Sequence, residues 1–127
     1  MVGLSSLLPL QTSPSPISVL GTVGLLAIFL SLTAHLAARN VIGDVAPLKA
    51  LGVGVGPAIL SLATQLLSIP AGIGVAAALL VDGVAIHFLY GESPRTSAYI
   101  TAIHAIITII LGAVLTGVVA LFVSAPG

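Results

Sequence analysis

The sequence predicts an all-α integral membrane protein, a bundle of four transmembrane helices. Three observations carry this. Of its 127 residues 58% are hydrophobic and only 5% are charged, against about 25% charged in a soluble domain. Mean hydropathy is +1.31. Apolar runs of bilayer-spanning length recur from one end of the chain to the other. So few charges cannot coat a water-facing surface, and the length suits one compact bundle.

The first span is predicted over residues 17–38. About 22 residues at 1.5 Å each reach about 33 Å, enough for a hydrocarbon core of about 30 Å. Residues 1–16 before it form a short extramembrane leader. This stretch lacks a positive n-region and reads as a surface segment rather than a signal peptide. Pro14 and Pro16 bias it toward an extended form. Arg39 closes the span, and the polar stretch Arg39 to Asp44 follows.

The second span is predicted over residues 47–67. Pro47 suits its first turn, and Lys49 can snorkel to the interface. Gly52, Gly54, Gly56 and Pro57 make it the weakest helix of the set, tolerable where neighbours pack closely. Ser68 to Gly72 break the chain without a charge. The third span is predicted over residues 69–90. Residues 46–90 also admit a re-entrant hairpin, but each half is near the length a bilayer demands. The turn Gly91 to Thr96 precedes the fourth span, residues 97–123, and a short tail, residues 124–127.

Three Lys/Arg balance three Asp/Glu. No basic patch for nucleic acid exists, so no nucleic-acid partner is expected. The chain has no cysteine, which excludes disulfides and thiolate chemistry. Arg39, Lys49 and Arg95 all fall in loops one and three. The positive-inside rule makes that end cytoplasmic and both termini extracytoplasmic in a cell membrane.

The candidate site is an intramembrane polar cluster of Asp82, His104, His35 and His87. An ionisable residue at such depth is costly and needs a partner or a proton. His87 suits Asp82 poorly, because five residues turn the helix about 500° and the side chains diverge by about 140°. His104 enters the next, antiparallel span at nearly the same depth, so an Asp82–His104 contact is predicted. His35 and Arg39 are spaced to share a face of the first helix. The cluster reads either as a hydrogen-bonded pair that sets helix register or as a proton relay or His/Asp metal site. Gly52-x-Gly54-x-Gly56 is no nucleotide loop, because no strand precedes it. Gly52 and Gly56 are a small-xxx-small spacing for close helix packing. No catalytic set, cofactor or metal-ligand set is predicted.

The chain resembles the Yip1-like small membrane proteins. The matching features are Ala34 to Arg39, then Ile42-Gly43-Asp44, Lys49 to Gly52, Gly56-Pro57, Ile69-Pro70 and Tyr90-Gly91 with Arg95 to Ala98. They cover about residues 30–115. It also looks like small uncharacterised membrane proteins of halophilic archaea. For such prokaryotic relatives the resemblance implies a fold and no defined activity.

Two functions compete. One is a non-enzymatic scaffold or subunit that associates through its glycine-rich second helix with membrane proteins or copies of itself. The other is a small transporter or proton-conducting element using Asp82 and the histidines. The second predicts a water-accessible Asp82 in a cavity reaching the loop-one and loop-three end.

Overall fold

The structure, a computed structural model, describes residues 15–126. Four helices follow one another: α1 (Pro16–Val41), α2 (Pro47–Leu66), α3 (Ala71–Tyr90) and α4 (Pro94–Ser124). Each is long and apolar enough to cross a membrane. Each helix packs on its chain neighbours, and α4 closes the ring on α1. The protein is a multi-pass, four-helix membrane protein. Residues 46–90 form two full helices, not a shallow hairpin.

The helix starts are set by caps. Ser15 accepts a hydrogen bond from the Ser18 amide at 3.1 Å, and Pro16 occupies the first turn. The extended form expected of Pro16 therefore ends one residue earlier than the leader does. Residues 1–14 of that leader lie outside the described residues. Ser93 accepts from the Thr96 amide at 3.1 Å with Pro94 behind it. This cap starts α4 at Pro94, not at 97. The turn shortens to Gly91–Ser93, and Gly91 takes the left-handed φ of 67° that ends α3. Its amide donates to the His87 carbonyl at 3.1 Å.

Two further boundaries differ from expectation. α1 continues a turn beyond Ala38, to Val41, because Arg39 and Asn40 lie exposed and can be helical in the interface. α3 begins at Ala71 rather than 69, because Pro70 caps it from outside the helix.

The core is made of small and β-branched side chains. Ala34, Ala37, Ala50, Val53, Ile86 and Ile100 cluster together almost wholly buried. They lie toward the end that carries Arg39, Lys49 and Arg95, here called the cationic end. Leu25, Ile28, Ile59, Leu80, Phe88 and Ile110 stay exposed around the bundle. A water-soluble monomer rarely exposes apolar surface on that scale; a lipid-facing surface requires it.

The glycines of α2 work inside the chain. A Cβ on Gly52 would lie 2.8 Å from Leu89 Cδ1, and one on Gly56 3.0 Å from Val81 Cγ1. Both glycines thus face α3. Gly54 points the other way, at α1. A Cβ there would lie 2.8 Å from the Ala27 carbonyl oxygen and closer still to the Ser31 amide nitrogen and hydroxyl. The tightest backbone approach is therefore at Gly54, not at the Gly52 and Gly56 pair the spacing suggests. Alternation explains it: α2 sits between two neighbours, and residues two apart face opposite ways.

Candidate functional site: a buried polar lock across three helices

The predicted Asp82–His104 contact is made. His104 Nδ1 lies 2.6 Å from Asp82 Oδ2, and each residue is only 4% exposed. Sequence reasoning missed the other side of the ring. His104 Nε2 lies 2.9 Å from Thr33 Oγ1 and 3.1 Å from the Leu30 carbonyl. Thr108 Oγ1 donates to Thr33 Oγ1 at 3.0 Å, and Thr33 Oγ1 donates to the Leu30 carbonyl at 3.0 Å. One imidazole thus ties α4 to both α3 and α1. Two signals for these partners were present. Thr108 follows His104 by four residues and shares its face. Thr33 lies at matching depth on α1.

The donor pattern assigns the protons. The Leu30 carbonyl can only accept, so Nε2 carries a hydrogen that it shares between that carbonyl and Thr33. Thr33 then accepts twice and donates once, which uses its full capacity. A second proton lies between Nδ1 and Oδ2. Whether it resides on the ring or the carboxyl, the pair is net neutral. Neutrality is what a low-dielectric interior demands of a buried acid. Asp82 Oδ1 has no hydrogen-bond partner.

Depth follows from the helix ends. Asp82 is eight residues before Tyr90 and His104 ten after Pro94, so they lie about 12 and 15 Å from the cationic end. The earlier start of α4 places His104 deeper than the expected first turn would, near the middle of a core of about 30 Å.

The other two histidines stand apart. His87 Nδ1 donates to the Glu92 carbonyl at 2.6 Å and pins the α3–α4 turn. His35 Nδ1 is buried without a hydrogen-bond partner, and Arg39, one turn further along α1, is exposed. The four-residue cluster is therefore one pair with two separate histidines. Among the described residues no group of three His, Cys, Asp or Glu could hold a metal ion. The cations Arg39, Lys49 and Arg95 share one end of the bundle through α1, α2 and α4. Lys49 Nζ sits 6.0 Å from the centroid of the Tyr90 ring, the outer limit for a cation–π contact.

The surroundings of the pair are unequal. Toward the cationic end, Val53, Ile86 and Ile100 are wholly buried and close the bundle. Toward the opposite, uncharged end lies a chamber of about 360 Å³. All four helices line it, with Leu26 and Leu30 of α1, Pro57 and Ser61 of α2, and Val75 and Leu79 of α3 among them. Asp82 and His104 belong to its floor. The chamber thus lies on the other side of the pair from the one a relay to the cationic end needs.

No curated protein and no solved structure matches the chain. Residues 13–126, almost the whole of it, match one protein family, described as a family of unknown function. The chain belongs to that family, DUF7473.

Proposed function

We propose that the protein is a non-enzymatic membrane scaffold or subunit that works by helix–helix association, through the far half of α4. One observation carries this reading. From Ala113 to Ser124 every residue of α4 is exposed, and Gly112 and Gly117 have nothing within 4 Å of an added Cβ. Gly54 is buried against α1, Gly56 is half-buried against α3, and Gly52 is exposed beside Leu89 of the same chain. The far half of α4 is the longer uncovered stretch. Ala113, Gly117 and Ala120 recur at helical spacing and offer a partner helix a close approach. The partner is a membrane protein or another copy of the chain. The polar lock serves this role by holding α4 to α1 and α3 at mid-height of the bundle. The same proposal sets the cationic end in the cytoplasm of a cell membrane. It also includes kinship with Yip1-like proteins, on the motif order from Arg39 to Arg95.

The chain has no native cysteine, so the test is clean. In native membranes, Ala120→Cys is expected to cross-link to a second chain, and Val119→Cys on the flanking face much less. Equal and negligible cross-linking at both positions would defeat the reading. The transport alternative is tested in proteoliposomes. Proton flux is expected at background, and Asp82→Asn is expected to leave it unchanged; a flux abolished by Asp82→Asn would replace the scaffold by a conductor.

A further inference from the structure

We infer that the chamber between the four helices binds an uncharged amphiphile, its single apolar chain lying in the chamber and its head at the far end of α2. This goes beyond the association reading and uses different residues.

The chamber has the volume of a small-molecule site, about 360 Å³. Its walls are apolar side chains from every helix. Its floor is the Asp82–His104 pair, which is net neutral and offers nothing to a charged head.

The rim is polar but uncharged. Ser61, Thr64 and Gln65 lie at i, i+3 and i+4 on α2 and share a face. Ser61 lines the chamber and both neighbouring grooves. The groove between α1 and α2 adds Ser18 and Thr22 to Ser61 and Gln65. The groove between α2 and α3 joins Ser61, Thr64 and Gln65. Ser61 of this set lines the chamber itself and the others line the grooves on either side of it, so polar groups border an apolar pocket, the general pattern of a ligand site.

Charge selects the class of head. Residues 51–81 contain no Asp, Glu, Lys or Arg, and neither do residues 16–38 or 96–124. An anionic or cationic head would lose solvation at this end without gaining a counter-charge. Thr22 and Thr64 spend their hydroxyl hydrogens on the Ser18 and Ser61 carbonyls, so a head of hydroxyl, ester or amide groups meets their oxygens as acceptors and the Gln65 carboxamide as donor.

The test uses the full chain in phosphatidylcholine nanodiscs. The probe is a monoacylglycerol with a diazirine in its acyl chain, read by mass spectrometry after photolysis. Labelling is expected at Leu26 and Leu30, the partly buried leucines of the lining. Unlabelled monoacylglycerol should compete about fivefold better than the ionised fatty acid or the alkyl-trimethylammonium of equal chain length, the worth of about one hydrogen bond. Ala78→Phe, which fills the chamber, should abolish the chamber label. Val75→Phe, at an exposed position of the lining, serves the same purpose with less risk to folding. Gln65→Leu should erase the preference among heads while chain labelling persists. Equal competition by all three amphiphiles would overturn the inference. So would labelling of lipid-facing Leu20, Ile59 and Phe88 as strong as that of the chamber.

Discussion

Replacing His104 by Leu should be among the most damaging single changes within the bundle. The side chain is 4% exposed and contacts three oxygens on two other helices, at 2.6, 2.9 and 3.1 Å. At about 0.6 kcal/mol for each interhelical membrane hydrogen bond, the direct loss is about 2 kcal/mol. Asp82 is then left buried with neither carboxyl oxygen bonded, since Oδ1 already has no partner. A stranded buried polar group adds about 1–3 kcal/mol. His104→Leu should therefore cost about 3–5 kcal/mol, consistent with breaking one side of a buried pair. Asp82→Leu should cost less, because Nε2 keeps Thr33 and the Leu30 carbonyl. The double variant should be about 1–2 kcal/mol more stable than the sum of the singles predicts, since it strands no carboxyl. Reversible unfolding in mixed micelles measures all four corners of this cycle. Singles that add to within about 0.5 kcal/mol would refute the lock.

Two further outcomes follow from the fold. Gly54→Ala should destabilise the bundle by about 1–3 kcal/mol by overpacking against the α1 backbone, whereas Gly24→Ala, with open space around it, should gain about 0.5–1 kcal/mol of helix propensity; thermal unfolding in detergent separates the signs. Ser93→Ala should cost about 1 kcal/mol and fray the first turn of α4, which amide hydrogen exchange at Thr96 and Ser97 would report.

Much was legible from residue types alone. Four spans follow from hydropathy and length, because a membrane helix must be apolar along its whole bilayer crossing. The chain breaks at Gly43, Pro70 and Gly91 were equally readable. Asp82 and His104 could be paired in advance because a buried acid needs a partner at its own depth on an adjacent helix. Helix ends were less legible where two signals overlap. Ser93-Pro94 is both a turn and a helix start, and only the cap geometry decides.

Rotation about each helix axis is what residue types could not supply. Residue types alone set the solvent, the number of spans, the shared end of the three cations and the acid–imidazole pair. The packed bundle settles that Gly54 meets α1 while Gly52 and Gly56 meet α3, that Thr33 and Leu30 complete the imidazole, and that His35 and His87 stand apart. It also puts the chamber on the uncharged side of the pair and leaves every residue from Ala113 to Ser124 exposed. Lipid is as apolar as a helix core. Periodicity therefore does not separate the face that meets a helix from the face that meets lipid. Packing of side chains from separate helices makes that choice.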